Sequence, residues 1–228
     1  FRSFYQSRAT MEEKQVNLNS EGNRWQRRKE QRPSEIIQAA RVLFVSQGFA
    51  ATKVADIAKL AGIQPGTLYV YFENKESLFK AVIEESIKPL LHYADNIIDN
   101  FTDSPQELIR TLVQRWWDLL ESDTCRGIPK LLTSESQNFP ELTAFYTREC
   151  IDPARNMIYR ILEYALNKNE IRLLNMEMAS RIIFLILHQL LLHAHSFAEH
   201  EPHPVSTKAM LNAAADFIIR SVLKTETN

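Results

Sequence analysis

The sequence predicts an all-α fold. Glycine and proline are sparse, with five and nine residues in a chain of 228. Apolar residues recur three or four positions apart along most of the chain, and few segments show the alternating pattern of half-buried strands. Hydrophobic residues make up 45% of the chain, which is ordinary for a globular protein, so a sizeable core in one or two domains is expected.

The N-terminal 32 residues are polar and show no periodic apolar face. Met11 is a candidate natural start, and whether residues 1–10 are native or an added segment stays open. The first helix is predicted from Pro33 to Gln47. Gly48 should end it, because glycine readily adopts the left-handed conformation found after a helix. Its inward positions are Ile36, Ala40, Leu43 and Phe44.

Two short helices joined by a tight turn are predicted for residues 52–72. Thr52 is a candidate N-cap for the first of them, and residues 54, 57, 58 and 61 give that helix one apolar face. Gly62 suits the left-handed position after its end, and Pro65 suits the first turn of the next helix. With a supporting helix on each side, this is the layout of a helix-turn-helix, whose second helix enters the major groove of DNA.

The second helix of this pair carries the side chains expected to contact DNA. Leu68 and Phe72 lie four positions apart and are predicted to pack inward. The outer face then presents hydroxyl, amide and aromatic groups to the base edges, and lysines flank the unit. The predicted DNA-binding residues are Thr52, Lys53, Gln64, Pro65, Thr67, Tyr69, Val70, Tyr71 and Lys75.

The stretch around this helix pair resembles the TetR family of transcriptional regulators. The agreement begins at Gly48-Phe49 and continues through residues 52–58, 61–63, 66–72 and 74–79. Two positions depart from the family. Val70 stands where a larger aromatic residue is common, and Gln64-Pro65 stands where Ser-Lys or Ser-Pro is common. We interpret both departures as a change in the operator that is recognised.

The resemblance implies a three-helix DNA-binding domain at residues 33–80, joined by a long helix to a larger helical ligand-binding and dimerisation domain at residues 81–228. Beyond residue 80 the similarity lies only in length and helical pattern, so it identifies no ligand. The charges agree with this division. Residues 1–80 hold thirteen Lys and Arg against eight Asp and Glu, a net charge of +5, whereas the remainder holds fourteen against twenty, or −6.

Residues 23–32 form a basic segment within the polar N-terminal extension of residues 1–32. They include five basic residues, one acidic residue and Trp25. Two interpretations stay open for this segment: a solvated lead-in to the first helix, or a basic arm that contacts the DNA backbone or minor groove.

Further helices are predicted in the C-terminal part. A long helix follows the cap Asn74 and contains Pro89, which should kink or break it. Ser104 to Glu107 has the form of a capping box with proline at the first helical position. Later helices are predicted at about 108–120, 128–132, 139–166 with an interruption at Pro153, 176–196 after the cap Asn175, and 204–223.

The helix predicted at 176–196 is apolar on nearly every side, so each side needs a covering partner. One face suits the core of its own domain. The opposite face suits the same helix of a second subunit, with small residues of the last helix beside it, and the family resemblance also implies a homodimer. A purely intramolecular core is the alternative. The predicted dimer-interface residues are Ile186, Leu190, Met210, Ala214, Phe217 and Ile218.

Aromatic side chains gather in the C-terminal part, where each is either a core residue or part of a cavity wall. The resemblance implies a cavity there, and apolar walls with few polar groups suit a small, largely apolar ligand. His188 and Gln189 are the candidate polar anchors, and a histidine satisfied within the core is the alternative. The predicted ligand-binding residues are Trp116, Leu120, Phe145, Tyr146, Tyr159, Phe184 and His188.

Other classes of site are weakly indicated. Five of the six histidines lie within residues 188–203, but the i, i+4 spacing of helical metal pairs is absent, so neither a metal nor a cofactor is expected. Cys125 and Cys150 are expected to be buried, reduced thiols of a cytoplasmic protein. The longest apolar tract, residues 182–194, is interrupted by polar residues and shorter than the ~20 residues of a membrane span, so no membrane partner is expected.

Three functional hypotheses follow. The leading one is a repressor that is released from its operator when a small apolar ligand enters the C-terminal cavity and tilts the long fourth helix. The second is a DNA-bound scaffold of the same fold that recruits a protein partner and takes no ligand. An enzyme is disfavoured, because no nucleophile–base pair, phosphate-binding glycine loop or zinc-protease signature is present.

Overall fold

A computed structural model describes residues 31–122, 125, 127–172 and 175–224, with the side chain of Leu90 excepted. Almost all of the polar extension, including most of the basic segment 23–32, lies outside the described residues. Within the described ranges the chain forms helices and one isolated antiparallel bridge, between Ile171 and Leu223. The all-α prediction is confirmed.

The helices follow one another with short connections. They are α1, residues 31–47; α2, Val54–Leu60; α3, Pro65–Tyr71; α4, Lys75–Asn100; α5, Pro105–Leu120; α6, Ile128–Glu135; α7, Pro140–Tyr146; α8, Asp152–Asn167; α9, Met176–Ser196; and α10, Thr207–Val222. A π-helical turn, Thr147–Ile151, joins α7 to α8, and a 3-10 turn, Ala198–His200, follows α9.

The chain divides into two compact units. Among the described residues, the first unit comprises residues 31–43 with Thr52–Phe79, and the second comprises Phe44–Ala51 with the described part of residues 80–224. The short segment 44–51, which the sequence assigns to the DNA-binding domain, therefore groups with the C-terminal helices. The division within α4 falls after Phe79, close to the predicted domain boundary.

The first unit is built around a compact apolar interior. Residues from α1, α2, α3 and the first turn of α4 are fully buried there, among them Ile36, Ile57, Leu68 and Leu78. Gly62 has a φ of 66°, and the amide of the next residue, Ile63, donates to the carbonyl of Ala58. This is the helix-ending geometry that glycine was predicted to supply after α2.

Local capping signals place the helices of the second unit. The hydroxyl of Ser104 accepts a hydrogen bond from the Glu107 amide at the start of α5, and Asn175 accepts from the Met178 amide at the start of α9. Both caps were predicted. Pro89 lies inside α4, which continues to Asn100, and Pro153 lies in the first turn of α8, where a missing amide proton costs little.

Helix α9 lies at the centre of the second unit's core. Ile183, Phe184 and Leu187 are buried against apolar residues of α5, α8 and α10. With 21 residues, α9 is long and apolar enough to cross a membrane by length and composition alone, whereas the uninterrupted apolar tract within it is shorter than a membrane span. Core helices of soluble proteins meet the same criterion, and the residues just named give α9 a core-helix role.

Candidate functional site

Helix α3 presents an exposed face next to a buried anchor. Leu68 is fully buried, whereas the next two residues, Tyr69 and Val70, are 54% and 78% exposed. Gln64 is the N-cap of α3 and Pro65 is its first residue, and both are exposed. Thr67 and Tyr71 are half-buried at the margin of the face. The structure thus leaves the predicted outer face of the second helix accessible to a nucleic acid.

Thr52 requires a correction to the predicted DNA-binding set. Its side chain is 1% exposed, and its hydroxyl donates to the carbonyl of Leu43 at 3.3 Å. Lys53, not Thr52, is the N-cap residue of α2, and it makes no side-chain capping bond. The hydroxyl is therefore used inside the first unit and cannot reach a base or phosphate without leaving that interior.

Lys75 and Lys53 flank this face in different ways. The Lys75 ammonium donates to the carbonyl of Thr52 at 3.1 Å, so it links the start of α4 to the start of α2. Lys53 is exposed. An ammonium has three N–H donors, so the bond to Thr52 is compatible with an additional phosphate contact by Lys75. Lys53 is the simpler candidate for a purely electrostatic contact.

The second unit contains two adjoining, partly open apolar cavities, with volumes of about 60 Å³ and about 40 Å³. Five residues from α5, α8 and α9 line both of them: Leu112, Trp116, Ala154, Met157 and Phe184. The first cavity is also lined by Ile87, Leu91 and Ala94 of α4 and by Pro129 of α6. The second is lined almost entirely by aliphatic side chains of the core. Both cavities therefore suit apolar groups.

His188 supplies a polar atom at the first cavity. Its Nε2 atom is buried and has no hydrogen-bond partner among the described residues, and its ring stacks on Phe184 with centroids 5.4 Å apart. Burial lowers the pKa of His188 below its ordinary value of 6.5, so the imidazole is neutral near pH 7. A buried polar atom without a partner is costly, and a ligand with a matching polar group would satisfy it.

Five of the seven predicted ligand-binding residues line the first cavity: Trp116, Leu120, Tyr146, Phe184 and His188. Phe145 and Tyr159 do not line either cavity. The ring of Phe145 is buried instead beneath the cations of Lys80 and Arg148, at 5.5 and 5.6 Å from its centroid. Tyr159 is half-buried on α8. Neither residue borders these two cavities, so ligand contacts by Phe145 and Tyr159 stay predictions.

Sequence reasoning missed one strip of the cavity wall. Cys150, Ala154 and Met157 line the first cavity and lie four and three positions apart, so they share one helical face. That spacing was visible in the sequence, but small and unbranched residues gave no sign that the face borders empty space. Burial raises the pKa of the Cys150 thiol to about 12, so this group is an unreactive thiol at neutral pH. Cys125 is likewise buried, as predicted, with its thiol donating to the Ser86 carbonyl.

A strip of exposed apolar side chains runs along α9 and α10, and we call it the α9–α10 seam. Its members Met178, Ile182, Leu185 and Phe217 are 53%, 51%, 58% and 62% exposed. Of the predicted dimer-interface residues, Phe217 is exposed and Ile186, Met210 and Ala214 are half-buried. Leu190 and Ile218 are 9% and 2% exposed because they pack in the protomer's own core, so they are removed from the predicted interface.

Comparisons with known proteins agree with this architecture. The family model described as bacterial regulatory proteins, tetR family, matches residues 36–82. The chain is 28% identical over 145 residues to the transcriptional activator FasR of Mycolicibacterium smegmatis, covering 62% of this chain and 64% of FasR. It is 34% identical over 90 residues to the repressor KstR2 of the same organism, covering 40% and 43% of the two chains. The matches thus span less than two thirds of both relatives.

Solved structures share the fold. The complex of triclosan with SmeT, a repressor of a Stenotrophomonas maltophilia efflux pump, superposes with a TM-score of 0.73, 21% identity and coverage of 86% of this chain and 93% of SmeT. The regulator FadR from Bacillus subtilis in complex with stearoyl-CoA has a TM-score of 0.66 and 20% identity, with coverage of 82% and 97%. At these identities the likeness concerns the fold alone.

Proposed function

Because the chain belongs to the TetR family of bacterial transcriptional regulators, we propose that it is a repressor released from its operator by a small, largely apolar ligand. The observation that carries the DNA-binding part is the exposed face of α3 within the matched segment, where Tyr69 and Val70 stand beside the buried anchor Leu68. A helix held by one buried residue and exposed on the opposite side is what major-groove docking requires.

The proposed DNA contacts divide into two kinds. Residues of α3 and its N-cap read base edges, and the lysines bind phosphates and hold the register of the protein on the duplex. The base-reading group is Gln64, Pro65, Thr67, Tyr69, Val70 and Tyr71, and the phosphate-binding group is Lys53 and Lys75.

The ligand part of the proposal rests on the apolar cavities and the unpartnered Nε2 atom of His188. The two cavities together are smaller than the ~150 Å³ engineered cavity known to hold benzene. A drug-sized molecule would therefore have to displace wall residues, including those of α4. Ligand binding would therefore be coupled to a movement of α4, whose first turn belongs to the DNA-binding unit. Complexes of related folds with triclosan and stearoyl-CoA support an apolar ligand class.

The α9–α10 seam supports a homodimer in which each subunit reads one half-site. An exposed apolar strip of this kind is energetically unfavourable in water and is typical of a subunit interface. We further propose that the protein is cytoplasmic, that it is not an enzyme, and that its partner is double-stranded operator DNA, in accord with the family.

The small size of the cavities also favours a second candidate function. A core filled by its own side chains suits a DNA-bound scaffold that recruits a protein partner and takes no small ligand. The two candidates share DNA binding and dimerisation, and they differ in whether occupancy of the cavity changes operator affinity.

Two successive measurements test the proposal. Selection from a random pool of duplex DNA should yield a palindromic site, because a symmetric dimer reads two related half-sites. Thermal-shift screening of apolar compounds, including triclosan and stearoyl-CoA, should then yield stabilising hits that weaken binding to that site. If the selection enriches no site, the proposal that the protein binds specific DNA is refuted. Hits that bind in the cavity without changing operator affinity would favour the scaffold.

A further inference from the structure

The turn between α1 and α2 is held by a helix far away in the sequence. Segment 44–51 contains the last turn of α1 and the chain leading to α2, yet it groups with the second unit. Phe44 and Phe49 are both fully buried there, with ring centroids 5.4 Å apart. The Phe49 and Phe139 rings also form a T-shaped pair, with centroids 4.7 Å apart and an interplanar angle of 81°. These aromatic contacts bring the turn to the end of α6.

Glu135, the last residue of α6, binds the turn directly. Its Oε1 atom accepts hydrogen bonds from the backbone amides of Phe49 and Ala50, at 3.0 and 3.2 Å. Its Oε2 atom accepts from the side-chain amide of Asn138 at 3.4 Å. Hydrogen bonds from two successive amides to one carboxylate oxygen are charge-assisted and stronger than those between neutral groups. The carboxylate therefore fixes both the position and the orientation of the peptide at residues 49–50.

Glycines permit this close approach at both ends of α6. Gly48 has a φ of +87°, and a Cβ atom there would lie 3.2 Å from the Glu135 carboxylate. Gly127, the N-cap of α6, has a φ of +83°, and a Cβ atom there would lie 2.5 Å from Cγ1 of Val45. A side chain at Gly127 would force Val45 or its surroundings to shift, and one at Gly48 would crowd the carboxylate and strain the backbone, so the contact depends on two glycines as well as on Glu135.

We propose that Glu135 is a positioning residue for DNA binding, acting by fixing the turn through which α1 leads into α2. The proposal rests on the proposed function, since it concerns the same DNA-binding unit. The turn sets the direction in which α2 begins, and the first residue after it, Thr52, bonds to Leu43 and accepts from Lys75 inside that unit. A change in the conformation of the turn would therefore shift the start of α2 and the helix pair that reads DNA.

The experiment compares full-length wild type with Glu135→Ala and Glu135→Gln. Glu163→Ala, an exposed glutamate on α8, is the matched control for the change in charge. Amide hydrogen exchange should show lost protection at Phe49 and Ala50 in Glu135→Ala. Binding to the site that the wild type selects should weaken at least about 10-fold, because two charge-assisted bonds are lost. Glu135→Gln retains an acceptor oxygen and should lose about 3-fold, while binding to unrelated DNA and the control variant should stay close to wild type.

The outcomes separate this proposal from the function on which it rests. Unchanged or tighter operator binding by Glu135→Ala, with exchange protection lost, would overturn the positioning role. Unchanged exchange protection at Phe49 and Ala50 in Glu135→Ala would show that the Glu135 carboxylate does not hold the turn. Equal losses on selected and unrelated DNA would indicate a general structural defect and also overturn the role. If Glu135→Ala fails to fold, Glu135→Gln decides by affinity alone: operator binding equal to that of the wild type would overturn the positioning role. If the wild type selects no DNA site, the proposed function itself is refuted.

Discussion

Replacing Phe217 with glutamate tests whether the α9–α10 seam holds two subunits together. Phe217 is 62% exposed in the protomer. A phenylalanine buries about 150–250 Å², so covering the exposed part removes roughly 120 Å² per subunit and roughly 240 Å² per dimer. At about 25 cal/mol per Å² this amounts to roughly 6 kcal/mol as an upper estimate, or about four orders of magnitude in the dimer dissociation constant. Burying a carboxylate without a partner would add to that loss.

Sedimentation velocity and operator titration measure the two consequences. We expect Phe217→Glu to sediment as a folded monomer at micromolar concentration, with operator affinity greatly reduced because one subunit reads only one half-site. Phe197→Glu is the matched control, since Phe197 is 60% exposed at the end of α9, beyond the seam. Ile218→Glu should instead unfold the protomer, because Ile218 is 2% exposed in its own core. A folded Phe217→Glu variant that still sediments as a dimer would show that the interface lies elsewhere.

Four further predictions concern the two proposed sites. Tyr69→Ala should weaken binding to the selected operator by about 1–3 kcal/mol with no change in thermal stability, and unchanged gel-shift affinity would exclude Tyr69 from the contact surface. Lys53→Ala should weaken binding to all duplexes alike and reduce the slope of log affinity against log salt by about one unit; a loss confined to the operator would argue against a phosphate contact. Because burial lowers the pKa of His188, the unfolded chain takes up more protons at this site once the pH falls below about 6.5, so acidification should destabilise the wild type more than His188→Phe in urea unfolding. Equal pH dependence in the two proteins would contradict a buried neutral imidazole. Finally, Glu135→Ala should reduce the effect on operator affinity of any compound that binds the cavity, because α6 borders both the cavity and the turn; an undiminished effect in operator titrations would show that another element transmits it.

Features decided by a few neighbouring residues were accessible from the sequence. Ser104, Asn175 and Gly62 act within one helical turn of their own positions, so their chemistry alone indicated where α5 and α9 begin and α2 ends. Periodicity likewise indicated that Leu68 would be buried and Tyr69 exposed. The all-α class, the helix pair and the family resemblance follow from the same short-range patterns.

Other features depend on which surfaces meet, and periodicity carries no information about that. An apolar residue on α9 or α10 has the same appearance whether it faces its own core, as Leu190 and Ile218 do, or solvent, as Leu185 does. Thr52 has the chemistry of a cap, but its buried hydroxyl donates to the Leu43 carbonyl instead. Local pattern restricts each residue to a face, and only packing decides what covers that face.

By itself, the sequence determined most of the helices, the caps Ser104 and Asn175, and the type of DNA-reading unit, because these depend on interactions within about one or two turns of helix. Tertiary structure alone decided the cavity wall at Cys150 and Met157, the exposed seam, and the bond between Glu135 and the Phe49 amide, which lie 86 residues apart. The physical reason is that a carboxylate can bind any accessible amide, and the chain path that brings these two together is set by the packing of whole helices.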